Sequence, residues 1–174
     1  LINASAGKQT VLREAEGIFQ AFQQAGHQPV VELTFTAGHA ARAMERAVAQ
    51  GPGAIVCCGG DGTLSAAADQ LLSRQCPIPL GYIPAGTTND FANFLGLPKE
   101  PPMAAELIAR GEPAPIDVGR FCGRHFIYVA SFGAFTQTSY TTTQSLKNSL
   151  GHLAYVIEGI KELPALQSYP VRVE

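Results

Sequence analysis

The chain has 174 residues, 46% of them apolar and 15% charged, which is enough to bury one sizeable core and begin a second domain, as in an ordinary globular protein. A formal net charge of −2 and a pI near 6.1 argue against nucleic acid as the main partner, because phosphate backbones call for a clear excess of Lys and Arg. No apolar run approaches the roughly 20 residues needed to cross a bilayer and no secretory leader opens the sequence, so a cytoplasmic protein is expected. Cys57, Cys58, Cys76 and Cys122 lack zinc-type pairing, and an adjacent Cys-Cys pair is poorly placed for an ordinary disulfide, so reduced thiols are expected. The sequence opens without Met in a strand-like segment and stops in another, which is expected of a piece of a longer protein.

In chain order, residues 1–3 read as the end of a strand, and a turn of small residues over 4–7 leads into a helix over 10–24. Its stripe of Val11, Leu12, Ala15, Ile18, Phe19 and Phe22 has helical spacing, and Gly26 supplies a stop. A short apolar strand over 30–34 precedes a helix over 39–50. Residues 54–58 form a continuous apolar run without polar alternation, the pattern of a strand buried on both faces of a parallel sheet. A helix over 63–73, a strand over 80–83, a loop of small polar residues over 84–90 and a helix over 102–110 follow. Repeated strand, loop and helix predict an α/β fold: an open parallel sheet with helices on both faces and ligands at the carboxyl ends of its strands.

Past residue 113 the pattern changes. Residues 116–121 and 124–131 read as strands joined by Cys122-Gly123, a pair suited to a two-residue hairpin turn. We therefore divide the chain into an α/β nucleotide-binding domain over 1–113 and the start of a β-rich domain over 114–174. A Ser/Thr-rich stretch over 139–145 leads to an amphipathic helix over 151–163, and 169–174 alternates like a strand. With Glu158 and Glu162 on that helix, packing against a core is expected rather than a lipid role.

Two loops carry the chemistry. Gly59-Gly60-Asp61-Gly62-Thr63 lies between a buried strand and a helix, where unpaired N–H groups and the helix dipole favour phosphate. Its glycines remove the Cβ atoms that would hold backbone and phosphate apart, Asp61 can act through magnesium or orient a hydroxyl, and Thr63 can cap the helix. No Gly-Lys-Ser/Thr follows, so this is not a P-loop, nor is it the spaced glycine pattern of dinucleotide folds. The second loop, Pro84-Ala85-Gly86-Thr87-Thr88-Asn89-Asp90-Phe91-Ala92, occupies the same end of the next strand. Taken alone it reads as an ordinary helix start with Asn89 or Asp90 as N-cap; taken with the first loop it points to one shared crevice.

Together, the motifs at 59–63 and 84–92 resemble the catalytic domain of diacylglycerol kinases, of ceramide and sphingosine kinases, and of their soluble bacterial relatives. The first motif is shared with NAD kinases, and a close variant with phosphofructokinases, whereas the second in this form is typical of the lipid kinases. The resemblance covers the whole chain in the order of its elements and implies a β-sandwich domain after the α/β domain. It also implies transfer of the γ-phosphate of ATP to a lipid hydroxyl, that of diacylglycerol giving phosphatidic acid, with ATP and Mg2+ as cofactors. Transient contact with a membrane surface at its inner face is implied as well, and the family's bacterial members often pair as homodimers.

By the same resemblance, Asn3, Ala4, Ser5, Ala6 and Gly7 match the first phosphate-side loop, and Thr36 falls where a threonine after the second strand contacts nucleotide. Gly59, Gly60, Asp61, Gly62 and Thr63 would cradle the phosphates, and Thr87 would reach the nucleotide from the opposite loop. Asp61, Asp90 and Asp117 match acidic positions of a magnesium and water network, with Asp61 and Asp90 the candidate catalytic residues. Asp90 can equally be a helix cap, and Asp117 can simply be hydrogen-bonded within its strand. The chain departs from the family pattern at Leu64-Ser65-Ala66, where Asn and Glu usually follow the hydrophobic residue, and at Ala4, which replaces a proline. The general base is expected beyond Glu174, so this stretch by itself is expected to be inactive. Two alternatives remain: an NAD kinase-like enzyme, and a non-catalytic nucleotide- or lipid-binding regulator.

Overall fold

A computed structural model describes residues 1–6, 10–130 and 170. The chain divides into two compact units, Leu1–Val129 and Ala130–Glu174, and the description below concerns the first. The Ser/Thr-rich stretch, the helix expected over 151–163 and the β-sandwich lie outside the described residues, as does the strand expected over 169–174 apart from Pro170.

Four parallel strands form the sheet: β1 (Ile2–Asn3), β2 (Leu33–Thr34), β3 (Ile55–Gly59) and β4 (Leu80–Pro84), in the order β2-β1-β3-β4. The central strands are buried on both faces, as the unbroken apolar run predicts. Ile55, Cys57 and Tyr82 point into a layer formed by Met44 of α3 (Ala37–Ala49) and Leu64, Ala67, Ala68 and Leu71 of α4 (Asp61–Ser73). Cys58 and Ile83 point the other way, onto Val11 of α1 (Thr10–Arg13), Ile18 of α2 (Ala15–Gln24) and Ala104 and Ala105 of α6 (Pro101–Arg110). Each fully buried aliphatic side chain here, such as Ile83, contributes roughly 1.5–3 kcal/mol. Cys57 and Cys58 are free thiols in this core, and burial pushes them up to about 12 and about 11 respectively, so they stay protonated at neutral pH.

Several elements differ from the sequence reading. The helix expected over 10–24 is interrupted at Glu14, which takes φ −91°, ψ 0°, although its carbonyl still accepts from the Ile18 N–H at 3.0 Å. The strand expected over 30–34 shrinks to β2, because the register Ile2↔Leu33 and Asn3↔Thr34 leaves Val30 and Val31 without partners in β1. α4 starts at Asp61 rather than Thr63, with Gly60 in the N-cap position, so Thr63 does not cap it.

Strands β5 (Gly119–Phe121) and β6 (Arg124–Phe126) form the expected hairpin, shorter than predicted. Cys122 and Gly123, at φ +49° and +80°, supply the two left-handed residues that match the twist of the strands. The hairpin is fastened to α4 by Asp69, a buried carboxylate that accepts from the His125 N–H at 2.8 Å, with His125 Nδ1 at 3.1 Å and Arg124 Nε at 3.4 Å. The His125 amide above all, helped by the side chains of His125 and Arg124, holds the Asp69 carboxyl below the usual carboxylate range despite its burial.

Asp69→Ala should destabilise the protein by about 2 kcal/mol in denaturant unfolding, since it strands the partly buried His125 N–H and removes hydrogen bonds to a charged acceptor. Because the folded-state carboxyl titrates below its unfolded value, its contribution is complete above the unfolded value, near pH 4, and is lost as pH falls through the folded one. The gap between wild type and Asp69→Ala should therefore be constant near neutrality and close in acid; an equal gap at pH 7 and pH 2.5 would contradict this assignment.

Candidate active site

The carboxyl ends of all four strands lie along one edge of the sheet, and the predicted loops leave from that edge. Asn3 terminates β1; its Nδ2 donates to Thr63 Oγ1 at 3.0 Å and its Oδ1 accepts from the Ser5 N–H at 3.0 Å, closing the first loop in an Asx turn. Ser5 Oγ donates to the Phe35 carbonyl beyond β2 at 3.2 Å, while Ala4 and Ala6 are buried. Gly7 lies outside the described residues. Thr36 sits exposed at the N-cap of α3, where its Oγ1 accepts from the His39 N–H at 3.2 Å. The structure therefore joins the first loop directly to Thr63, whereas the Thr36 hydroxyl serves its own helix.

At the start of α4 the N–H groups of Thr63 and Leu64 both reach the Gly60 carbonyl, at 2.9 and 3.1 Å. Those of Asp61 and Gly62 find no acceptor among the described residues, and a Cβ at Gly62 would meet nothing within 4 Å. Open donors at the positive end of a 13-residue helix, with free space beside them, suit a phosphate.

The second loop lies directly against the first. A Cβ added at Gly86 would fall 3.1 Å from the Gly60 nitrogen and closer still to its Cα, and one at Gly60 would fall 3.2 Å from the Gly86 Cα. Only glycine at both positions lets the backbones meet. Asn89 holds the second loop closed from a left-handed conformation, φ +52°, ψ +49°: its Oδ1 accepts from the Gly86 N–H at 2.8 Å and from Tyr82 Oη at 3.4 Å, and its Nδ2 donates to the Gly86 carbonyl at 3.1 Å. Burial pushes the Tyr82 hydroxyl up, reinforced by the nearby Asp61 and Asp90 charges, so it remains a donor.

Asn89 occupies the N-cap position of α5 (Asp90–Leu95), but its side chain is turned away and makes no cap. The cap comes from the other loop. Asp61 Oδ2 accepts from the Asp90 N–H at 3.0 Å and Oδ1 from the Phe91 N–H at 3.1 Å. Asp90 itself is exposed in the first turn of α5, and Thr87 is exposed on the loop before it. Asp117 is exposed in the segment before β5 rather than within a strand, and makes no hydrogen bond among the described residues.

Among the described residues no three His, Cys, Asp or Glu side chains converge on a point that could hold a metal ion. Asp61, Asp90 and Asp117 do not form a protein cage for magnesium. Two carboxylates at the starts of facing helices fit instead an ion held mainly by phosphate oxygens and water, the usual arrangement for magnesium with a nucleotide.

Gly86, Asn89 and Tyr82 were not among the predicted site residues. Asn immediately before a helix start, tolerant of left-handed backbone, was the available signal; nothing in the sequence marks Tyr82. Asn89→Ala should destabilise the protein by about 2–3 kcal/mol, combining lost hydrogen bonds with a left-handed alanine. Asn89→Gly should recover about 1 kcal/mol of that by relieving the backbone alone. Denaturant unfolding of both variants checks the order; equal losses would remove the strain component.

The diacylglycerol kinase catalytic domain family matches residues 1–121 of the chain. A diacylglycerol kinase of Bacillus subtilis (strain 168) is 35% identical over 175 residues, covering 100% of this chain and 58% of the relative, and one of Staphylococcus aureus (strain JH9) is 32% identical over 174 residues, covering 100% and 55%. The chain thus spans little more than half the length of these curated relatives. The crystal structure of a diacylglycerol kinase from Bacillus anthracis str. Sterne superposes with a TM-score of 0.64 at 30% identity, over 72% of this chain and 43% of that one. With its parallel sheet, its paired loops and this match over most of its length, the chain belongs to the diacylglycerol kinase catalytic-domain family.

Proposed function

We propose that the full-length protein is an ATP-dependent lipid kinase that transfers the γ-phosphate to the hydroxyl of diacylglycerol, giving phosphatidic acid. The observation that carries this reading is the contact between the loop over 59–63 and the loop over 84–90 at the carboxyl ends of adjacent strands. That contact pairs open N–H donors with the second motif that sets lipid kinases apart from NAD kinases. The names of the relatives support the same activity.

In this reading Asn3, Ser5 and the small residues Ala4, Ala6 and Gly7 line the phosphate side of the site, with Gly59 to Thr63 beneath the phosphates. Thr36 and Thr87 flank the nucleotide. Phosphoryl transfer asks the protein chiefly to position the donor and to spread negative charge over fixed dipoles, which the N-terminus of α4 does without a covalent step. Asp61, Asp90 and Asp117 are the acidic groups that would hold magnesium, through water, and the ion would supply neutralisation of the phosphate charge. The base that takes the lipid's proton belongs to the chain beyond Glu174, as part of a β-rich domain that opens near residue 114. The protein works as a cytoplasmic homodimer that meets the membrane surface transiently, to collect its substrate. Among the described residues no helix is long and apolar enough to cross a membrane.

The departure at Ser65-Ala66 leaves room for a regulator without transfer activity. Ser65 Oγ is turned to the Ile127 carbonyl at 3.4 Å, and Ala66 offers no carboxylate. The test is transfer of labelled γ-phosphate from ATP by the full-length protein to diacylglycerol, ceramide, sphingosine and NAD in parallel. Labelled phosphatidic acid is expected, falling about 10²-fold or more in Asp61→Ala, as misplacement of a phosphate site by about an ångström would cause. Labelled NADP would move the protein to the rival kinase class, and ATP binding without any product would make it a regulator.

A further inference from the structure

The helix α5 is too short to hold itself: its six residues make fewer than two turns, and isolated helices of that length do not form in water. Its first N–H groups face the ends of aligned peptide dipoles and need an anionic or polar acceptor. The residue in the N-cap position cannot serve, because Asn89 is left-handed and its amide is committed to Gly86 and Tyr82. Asp61 serves instead, placing one carboxylate oxygen on each of the first two N–H groups of α5 while itself standing in the first turn of α4.

From this arrangement we infer that Asp61 is a positioning residue: a cap shared by two helices that clamps the second loop against the first and so sets where Thr87 meets the nucleotide. The inference rests on the kinase reading for the identity of the nucleotide, whereas the clamp is made of protein groups alone. It separates Asp61 from a residue whose only task is to hold magnesium. A metal ligand is silent until the ion arrives, whereas a cap acts on the free protein. The Gly60/Gly86 contact supports the clamp, because the loops already touch there.

The full-length protein and its Asp61→Ala and Asp61→Asn variants are compared by amide hydrogen exchange in EDTA without nucleotide. Removing the cap should speed exchange of the peptide over 86–95 by about tenfold in Asp61→Ala, with the α6 peptide over 101–110 unchanged. Asp61→Asn, which keeps one acceptor, should fall between. ATP affinity measured in the same EDTA buffer should weaken in the same order, about tenfold for Asp61→Ala. If Asp61→Ala does not fold, Asp61→Asn against wild type gives the same reading. Unchanged exchange over 86–95 in the variants overturns the clamp. Faster exchange with unchanged metal-free ATP affinity overturns the positioning role. Wild type that binds no ATP in EDTA or with magnesium restored sinks the kinase reading and the positioning role together, while the exchange data still decide the clamp.

Discussion

The structure depends on the contact between two turns at the carboxyl edge of a parallel sheet, Gly60 against Gly86, with the Asp61 carboxylate reaching from one turn to the N–H groups of the other. Parallel pairing of β3 with β4 brings the turns to the same edge, since the register Gly59↔Pro84 ends both strands level. From there the backbones must either diverge or touch, and two glycines permit the touch. Beside that touch, the Asp61 and Gly62 N–H groups of α4 have no acceptor among the described residues.

The same edge is laced along its length by side chains of the loops themselves. Asn3 ties the first loop to Thr63, Ser5 ties it to the end of β2, and Asn89 closes the second loop on Tyr82. Each of these polar groups has a partner, and no buried side-chain nitrogen or oxygen among the described residues is left without one. A site of this kind is preorganised: the donors that would meet phosphate are fixed by hydrogen bonds that do not involve it, so little ordering remains for binding to impose. The clasp from Asp69 to the hairpin has an analogous role lower on α4, where it anchors the chain that continues past β6.

Much of this was legible in the sequence because it is local. The uninterrupted run Ile55 to Cys58 can only be comfortable with both faces covered, which implies a central parallel strand and helices on either side. Cys122-Gly123 between two alternating runs specifies a tight hairpin by its tolerance of left-handed backbone. The glycine-rich turn after β3 and the small-residue loop after β4 announce a phosphate crevice by composition and position alone. The bounds of β2 were less legible, since a strand's length is settled by how much partner it finds and not by its own apolar residues.

The alternation of strands and helices and the two loops that carry the chemistry were readable from residue type at fixed spacing along the chain, and the family from the resemblance of those loops to known motifs. Which polar groups meet is settled by the fold in three dimensions. Asp61 and the N–H groups it accepts are separated by 29 and 30 residues, Asn3 and Thr63 by 60, and Asp69 and His125 by 56. Hydrogen bonds across such separations depend on strand register and loop closure, to which no local pattern is sensitive. For that reason the family resemblance groups Asp61, Asp90 and Asp117 as one acidic set, while in three dimensions Asp61 caps the neighbouring helix.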